Sequence, residues 1–273
     1  MADSIRAVQL ADRTDHVVVE EPLEIRIAGD TVAITMRTPG SDRELVLGFL
    51  WAEGIIAQTG DVSAIAHCGR PDEEGFGNTM EVTLAPGVKF DPETGPTRRG
   101  TISTSACGVC GRRTIADMLA RFSPMPAHTP LGQSIVIGAV QQLRDHQPIF
   151  AKTGGCHAAS LVRFSGEHVA TFEDVGRHNA VDKLVGSRLL ASASEHVSLS
   201  LSGQVPLAEH VLLVSGRTSF EIVQKAMAAG IPVVAGVSAP SSLAIDLARR
   251  ANITLCGFVR GSSMTVYCGE VRS

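Results

Sequence analysis

Apolar strand-length segments alternate with helical segments in the last third of the chain, and this alternation constrains the fold more than any other feature. The strand segments are VLLVS (211–215), PVVAGV (232–237) and ITLCGFV (253–259). The segments between them, GRTSFEIVQKAMAAG and SAPSSLAIDLARRA, have apolar residues at helical spacing. Such alternation is typical of a mostly parallel sheet with helices on both faces, so we predict an α/β fold.

The segments before these units extend the pattern. Residues 134–147 and 177–190 have helical spacing, and between them HAASLVRF and EHVATFED indicate a β-hairpin. The resulting order, α-ββ-α-β-α-β-α-β, is also the order of the cytidine-deaminase-like fold. We therefore predict a cytidine-deaminase-like sheet.

A smaller α+β domain is expected at the N-terminus. Residues 16–36 carry apolar stretches on both sides of an Ala-Gly-Asp turn, which indicates a β-hairpin. Ser41 and Glu44 have capping-box spacing ahead of an apolar-periodic segment, and a strand-like segment follows at 78–86. We place this domain, with the Gly-rich loop that follows it, in residues 1–125, and the α/β domain in residues 126–273.

Charge and hydropathy argue against several classes of partner. The 273 residues carry a formal net charge of −4, which provides no general electrostatic footprint for nucleic acid. Charges at Asp3, Arg6 and Asp12 leave no apolar core of signal-peptide length. No apolar stretch reaches the roughly 18 residues that span a bilayer. We therefore expect a soluble cytoplasmic protein with neither nucleic acid nor membrane as a partner.

Two of the six cysteines, Cys107 and Cys110, are spaced for joint chemistry in SACGVCGR. A structural zinc site typically needs a second such pair or a histidine pair, and no second CxxC exists in the sequence. Zinc deaminases need His-x-Glu and a proline before the first cysteine, whereas no histidine here is followed by x-Glu and Ala106 precedes Cys107. A thioredoxin-like dithiol would begin a helix in a βαβ unit, but this pair lies in a Gly-rich loop.

The local chemistry favours a sulfur carrier, while zinc binding and dithiol exchange stay open. A persulfide-forming cysteine must be accessible and largely thiolate, because the thiolate is the nucleophile. Arg112, Arg113 and a helix predicted over about residues 114–122 all favour the thiolate, unless the arginines are only solvated. Gly108 and Gly111 would let the loop move between a sulfur donor and an acceptor.

Two segments that follow strands indicate an anion-binding pocket. In GRTSFE, Thr218 and Glu221 have capping-box spacing, and the helix start at Ser219 offers N–H groups to an anion with Arg217 as a forked partner. SAPSSLA repeats the design one unit later, so the two loops should converge at the carboxyl ends of the strands. The alternative to an anion site in GRTSFE is that Thr218 and Glu221 only cap the helix.

The segment EDVGRHNAVDK concentrates polar residues at another helix start. They are Asp174, Arg177, His178, Asn179, Asp182 and Lys183. A solvated helix face seldom needs so many kinds of hydrogen-bonding group, so we interpret Arg177 and His178 as further pocket residues. The alternative for His178 is a partly buried histidine with partners of its own.

Five ordered segments together resemble the formate dehydrogenase accessory sulfurtransferase family. They are SACGVCGR, TGGCHAASL, EDVGRHNAVDKL, SGRTSFEIVQKAMAAGIPVVAGVSAPSSLAIDLA and LCGFVRG. The N-terminal EL-x-LGFL-x-x-EGII is also similar. The likeness covers most of the chain, and five ordered motifs are far more specific than a lone CxxC.

The resemblance implies sulfuration of the molybdenum bis-guanine-dinucleotide cofactor for formate dehydrogenase. It implies that a cysteine desulfurase loads a persulfide on Cys107 and that Cys110 assists relay or release. It assigns cofactor binding to the segment Phe258, Val259, Arg260, Gly261, Ser262 and Ser263. It also implies a homodimer of a deaminase-like domain with a smaller appended domain.

One residue departs from the pattern that the resemblance implies, and two other functions stay open. Cys156 stands where other small residues are expected, and we interpret it as a small packed residue. The alternatives to a sulfurtransferase are a non-catalytic chaperone that binds the cofactor and, less favoured, a zinc or dithiol redox protein. We assign no metal ligands.

Overall fold

A four-stranded and a six-stranded sheet form the framework of the structure, a computed structural model that describes residues 4–69, 76–90, 119–194 and 207–273. The N-terminal elements are β1 (Ile5–Gln9), β2 (Thr14–Val18), β3 (Glu21–Ile27), β4 (Asp30–Arg37), α1 (Asp42–Ala52), β5 (Val62–His67) and β6 (Thr79–Leu84). The smaller sheet has the order β4-β3-β6-β5, and β1 pairs with β2 in a separate hairpin.

The predicted N-terminal hairpin is confirmed. Strands β3 and β4 pair antiparallel, and Ala28 and Gly29 between them have φ angles of 53° and 85°. Positive φ at both central residues gives the turn a twist that matches the flanking strands. Leu23 and Ile25 on β3 are buried on the face toward the core.

Helix α1 forms where it was expected, but the capping box predicted for Ser41 is wrong. Ser41 lies in the left-handed region, with φ 55° and ψ 37°, and its side chain makes no capping hydrogen bond. The carboxylate of the next residue, Asp42, pairs with the Arg37 guanidinium, whose Nε donates to Asp42 Oδ1 at 3.1 Å. The preceding segment is therefore positioned by tertiary contacts rather than by a local cap.

The C-terminal elements confirm the helices and strands that the sequence predicts. They are β7 (Leu131–Gly132), α2 (Gln133–Gln142), α3 (Pro148–Thr153), β8 (His157–Arg163), β9 (His168–Asp174), α4 (Arg177–Ser194), β10 (His210–Val214), α5 (Phe220–Ala228), β11 (Val233–Gly236), α6 (Ser242–Arg250), β12 (Thr254–Arg260), β13 (Ser263–Cys268) and β14 (Val271–Arg272). Of the helix predicted over residues 114–122, residues 119–121 are described and helical, and 114–118 lie outside the described residues.

The larger sheet is mixed, so the prediction of a mostly parallel sheet is wrong. Its order is β13-β12-β11-β10-β8-β9. Only β10–β11 and β11–β12 are parallel, whereas β8–β9, β8–β10 and β12–β13 are antiparallel. The β8–β9 and β12–β13 connections are too short for a crossover, and a short turn can join only antiparallel neighbours. The likeness to the cytidine-deaminase-like fold stays a prediction.

Helices cover both faces of this sheet, as predicted. On β10, Val211 and Leu213 pack in the same cluster as α2, while Leu212 and Val214 pack in a second cluster with residues of α1, α4, α5 and α6. This alternation follows from the two-residue period of a strand. The second cluster also includes Leu23 and Ile25 of β3, so the two halves of the chain share one core. The boundary between residues 125 and 126 stays a prediction.

Helices α1 and α4 cross with their backbones in contact. A β-carbon added to Gly186 would overlap the carbonyl oxygen of Glu44, and one added to Gly48 would overlap that of Asp182. Only glycine fits at both positions because the obstacle on each side is backbone rather than a flexible side chain.

No described helix is long and apolar enough to cross a membrane.

Replacing Gly186 by alanine is therefore expected to lower the free energy of unfolding by about 1–3 kcal/mol or more, because the two helices must move apart. The matched control is Gly138→Ala in α2, where an added β-carbon meets nothing within 4 Å. That change is expected to raise stability by about 0.5–1 kcal/mol through higher helix propensity. Urea denaturation of both variants measures the difference, and equal effects would contradict the close crossing.

Candidate functional site

A cavity of about 520 Å³ lies at the edge of the larger sheet where β10, β11 and β12 end. Its walls come from α2, residues 143–147, α3, the start of β8, the residues just after β10 and β11, and the end of β12. Val140, Phe150 and Val259 supply apolar wall. Its polar groups are Gln141, Arg144, Gln147, His157, Ser215 and Arg260. Apolar walls with a few convergent polar groups are typical of a small-molecule site, and sheets of this kind bind ligands at this edge.

The hairpin tip between β12 and β13 forms one wall of the cavity. Val259, Arg260 and Gly261 line it, while Phe258 is exposed and has a φ of 50°, a rare conformation for a bulky residue. The Arg260 guanidinium carbon lies 5.5 Å from the centroid of the Phe258 ring. Gln141 Nε2 donates to the Gly261 carbonyl at 2.9 Å and so ties α2 to the tip. Ser262 and Ser263 are exposed at the turn.

The two loops that follow β10 and β11 converge, as predicted. The Thr218 N–H donates to the Ala239 carbonyl at 3.2 Å, and the Ser241 N–H donates to the Thr218 carbonyl at 3.0 Å. Ser241 also caps α6, since its side chain accepts a hydrogen bond from the Ala244 N–H at 3.3 Å. The carboxyl ends of neighbouring strands therefore meet at one edge of the sheet.

The capping box predicted for Thr218 and Glu221 is wrong. The N-cap of α5 is Ser219, whose side chain makes no capping bond. Thr218 is fully buried, its Oγ1 has no hydrogen-bond partner among the described residues, and a β-carbon added to Gly236 would lie 2.6 Å from it. Thr218 and Ser219 do not line the cavity, and Arg217 is exposed beside them. Their contact with a cofactor stays a prediction.

His178 connects the starts of α4 and α5. Its Nε2 lies 2.9 Å from Glu221 Oε2 and 3.0 Å from Ser219 Oγ. Burial lowers the pKa of His178, and although burial opposes ionisation of Glu221, the contact with His178 lowers the pKa of that carboxyl. We therefore assign a neutral imidazole that donates to a carboxylate. In a Ser-His-acid triad the histidine uses one ring nitrogen for the serine and the other for the acid. Here Ser219 and Glu221 both contact Nε2 of His178, so the three residues do not form such a triad.

Much of the EDVGRHNAVDK segment serves the packing of the fold. Lys183 Nζ lies 2.7 Å from Asp174 Oδ2 and donates to the Thr38 carbonyl at 2.8 Å. Asn179 Nδ2 donates to Asp174 Oδ1 at 3.0 Å. One residue before Lys183, Asp182 pairs with Lys225 of α5 at 2.7 Å. Four of the six polar residues are thus used in buried contacts.

Arg177 and His178, the two residues of that segment predicted for the pocket, lie at the start of α4. Arg177 Nε is buried and has no hydrogen-bond partner in the part of the chain that the structure describes. Cys107 and Cys110, predicted as the sulfur-handling pair, lie outside the described residues. Within the described residues, no group of three or more His, Cys, Asp and Glu side chains is placed to hold a metal ion.

Comparison with known proteins identifies the family. The sequence model of the FdhD/NarQ family matches residues 18–273. The chain belongs to the FdhD/NarQ family. It is 54% identical over 259 residues to a protein of Anaeromyxobacter dehalogenans named sulfur carrier protein FdhD, a match that covers 94% of this chain and 88% of the relative. A protein of the same name from Mycobacterium tuberculosis is 46% identical over 270 residues and covers 96% and 93% of the two chains.

A solved structure supports the fold of this family member. A crystal structure from Desulfotalea psychrophila, described provisionally as a formate dehydrogenase accessory protein, superposes with a TM-score of 0.69. The match covers 97% of this chain and 95% of the other at 24% sequence identity. At this level of identity the likeness concerns the fold alone.

Cys156 is a small packed residue, as interpreted from the sequence, although it also reaches the cavity wall. It is buried, and its Sγ donates to Glu173 Oε1 at 3.2 Å. Burial, together with the Glu173 contact, raises the pKa of the thiol. The thiol is therefore protonated at neutral pH and is a poor nucleophile. Cys256 is likewise a core residue, and burial raises its thiol pKa to about 12.

His157 is one of several pocket residues of this family member that the sequence analysis did not predict, and Gln141, Arg144, Gln147 and Ser215 are others. It begins β8, and because β8 runs antiparallel to β10, its first residue lies at the carboxyl end of β10. The sequence analysis assigned the ends of β10, β11 and β12 and the start of α4 to the pocket, but not the start of β8. The signal available in the sequence was the hairpin itself, which requires β8 and β9 to run in opposite directions.

Proposed function

We propose that this chain is a sulfurtransferase that carries sulfur for formate dehydrogenase. It takes sulfur from a cysteine desulfurase as a persulfide on Cys107 and passes it to the molybdenum bis-guanine-dinucleotide cofactor, which it binds as a substrate. Membership of the FdhD/NarQ family and 54% identity to a protein named sulfur carrier protein FdhD support this proposal.

The observation that carries the proposal is the position of the predicted cofactor-binding segment. Three of its residues, Val259, Arg260 and Gly261, line a cavity of about 520 Å³ rather than a flat surface. This volume lies within the usual range of about 300–1,000 Å³ for ligand pockets. Arg144 and Arg260 bring two cations to the cavity, which suits a ligand with phosphate groups.

The loading step needs no external oxidant. The Cys107 thiolate attacks the outer sulfur of the desulfurase persulfide, a new S–S bond forms, the old one breaks, and the desulfurase cysteine leaves as a thiolate. Release begins when the Cys110 thiolate attacks the Cys107 sulfur and the S–S bond of the persulfide breaks. A Cys107–Cys110 disulfide forms, and hydrosulfide leaves for the metal, where with one proton from solvent it replaces an oxygen ligand that departs as water. A cellular dithiol then reduces the disulfide.

We further propose that the protein acts as a cytoplasmic homodimer, with the desulfurase and formate dehydrogenase as its protein partners. The sequence carries no electrostatic footprint for nucleic acid, with a formal net charge of −4.

Complementation tests this function. Expressed in cells that lack their own family member, the wild-type chain is expected to restore formate dehydrogenase activity. Replacing Arg260 by glutamine is expected to reduce that activity about 10-fold or more by removing a charged contact to the substrate. Arg250→Gln on α6 removes an exposed charge outside the cavity and is the matched control. Failure of the wild-type chain to restore activity would contradict the proposal.

A further inference from the structure

Two histidine rings from separate elements stack on each other at the edge of the larger sheet. His146 ends the 3-10 turn Leu143–His146, and His168 begins β9, the edge strand. The ring centroids lie 3.7 Å apart, and the ring planes differ by 2°. Both residues are half-buried. The stack therefore joins the turn to the edge of the sheet.

A chain of hydrogen bonds fixes where His168 carries its proton. Ser160 Oγ donates to the Ala170 carbonyl at 3.2 Å, and Thr171 Oγ1 donates to Ser160 Oγ at 2.9 Å. A hydroxyl has one proton to donate, so Thr171 Oγ1 can only accept from His168 Nε2, which lies 2.8 Å away. We therefore assign the Nε2–H tautomer to the neutral ring, and a second proton enters at Nδ1.

The two rings influence each other's protonation directly. Burial, and then the charge of His146, lower the pKa of His168. The ring of His178 contacts the carboxylate of Glu221, whereas neither stacked ring forms an ion pair with a carboxylate of the described residues. A positive charge on one ring is therefore not neutralised before the other ring meets it.

The charged residues of the surrounding elements are paired or exposed. Glu167, next to His168 in the sequence, pairs with Arg163 of β8 at 3.2 Å. Helix α2 carries no charged residue. The remaining charged residues of the turn and of α3 are exposed, so water screens them, and they are Arg144, Asp145 and Lys152.

The stack accommodates one positive charge but not two. A neutral ring attracts a second neutral ring by dispersion and attracts an imidazolium by a cation–π contact. Two imidazolium rings with centroids 3.7 Å apart repel each other, and a half-buried site screens that repulsion less than bulk water does. Protonation of both rings therefore favours their separation.

Separation of the rings would free part of the cavity wall from the edge strand. Leu143 and Arg144 of the turn, and Gln147 directly after it, line the cavity. The Gln147 N–H donates to the Arg144 carbonyl at 3.2 Å, and the Ala151 N–H donates to the Gln147 carbonyl at 2.9 Å. These two amides therefore report whether the turn and the start of α3 are in place.

We propose that His146 and His168 form a pH-sensitive latch. The latch holds residues 143–147 against β9 while at most one ring is protonated, and it releases them when both rings are protonated. It makes the position of this wall depend on pH. This inference goes beyond the proposed function, because it concerns movement of the protein itself and does not depend on what the protein carries.

The direction of the pH effect follows from His168. Because the pKa of its ring is lowered in the stack, the released form binds more protons than the latched form below the usual histidine value of about 6.5. The latch is therefore fully formed above about pH 6.5 and weakens as the pH falls below that value.

Histidine NMR signals of the full chain, followed from about pH 8 to about pH 5, test the coupling between the rings. The variant His146→Phe keeps a ring that can stack but cannot take up a proton. We expect it to raise the titration midpoint of His168 by about half a pH unit or more. His16→Gln removes an exposed histidine outside the stack and should leave that midpoint unchanged. The same midpoint in the wild-type chain and in His146→Phe would contradict the coupling.

Hydrogen exchange measures the release itself. We expect the protection of the Gln147 and Ala151 amides, corrected for the intrinsic pH dependence of exchange, to fall about 10-fold or more between about pH 7.5 and about pH 5.5 in the wild-type chain. In His146→Phe it should stay high. Amides of the central strand β11 report global unfolding and are the reference.

Three results would overturn the latch. The first is unchanged protection of the Gln147 and Ala151 amides in the wild-type chain, which needs no variant to fold. The second is an equal loss at these amides and in β11, which would mean global unfolding. The third is an equal loss in the wild-type chain and in His146→Phe.

Discussion

Replacing Cys107 by alanine is expected to lower formate dehydrogenase activity in complemented cells by about 100-fold or more, because the atom that bears the transferred sulfur is gone. Removing a covalent nucleophile stops every turnover, whereas removing a binding contact weakens substrate binding and leaves the reacting atom in place. The matched control is Cys68→Ala, a cysteine that is free and half-buried in the N-terminal sheet region. Activity with the Cys68 variant is expected to match that of the wild-type chain.

The contrary result would favour a different function. If Cys107→Ala still bound the cofactor and still supported formate dehydrogenase, the chain would be a chaperone that shields and delivers the cofactor. The Cys110→Ala variant separates loading from release, since it should accept sulfur and fail to pass it on. A tightly held zinc ion in every purified chain would instead favour the zinc alternative.

Replacing Lys183 by methionine is expected to lower the free energy of unfolding by about 3–5 kcal/mol, because it leaves the Asp174 carboxylate buried without its cation. Asp174 is fully buried, and Lys183 is 2% exposed. The lysine also donates to the Thr38 carbonyl, which joins α4 to the segment after β4. The loss is a large fraction of the roughly 5–15 kcal/mol that stabilises a native protein, so the variant should melt far below the wild-type chain. Urea denaturation measures the change.

Two further variants test whether the stability loss in Lys183→Met comes from the unpaired charge of Asp174. The double variant Asp174→Asn/Lys183→Met removes both charges. Its free energy of unfolding is expected to exceed that of Lys183→Met alone by about 1 kcal/mol or more. Lys152→Met removes a lysine from an exposed position on α3 and should change stability little. Equal losses in the single and double variants would contradict a buried ion pair.

Local patterns in the sequence predicted the elements well, because spacing and turn residues are local properties. The hairpin around Ala28 and Gly29 and the helices that follow β10 and β11 formed where the patterns placed them. Strand direction was predicted less well. It depends on which strands pair, and β8 pairs with β10, a strand more than forty residues further along the chain.

The two capping boxes failed for a shared physical reason. A capping motif in the sequence indicates only which side chain is able to reach a helix start. Tertiary contacts decide whether that side chain forms the cap in the folded protein. Glu221 pairs with His178 of another helix, and Ser41 is held in a left-handed conformation. The same limit applies to the pocket. Residues 258–263 were named through family resemblance, but His157 enters the pocket only through the antiparallel pairing of β8.

The cysteine that carries the sulfur is identified most directly by intact-mass spectrometry. The purified chain is incubated with a cysteine desulfurase and cysteine, and the protein is weighed before and after treatment with a reductant. The wild-type chain should gain the mass of one sulfur atom and lose it on reduction, and Cys107→Ala should gain nothing. An adduct of the same mass on Cys107→Ala, or none on the wild-type chain, would contradict a persulfide carried by Cys107.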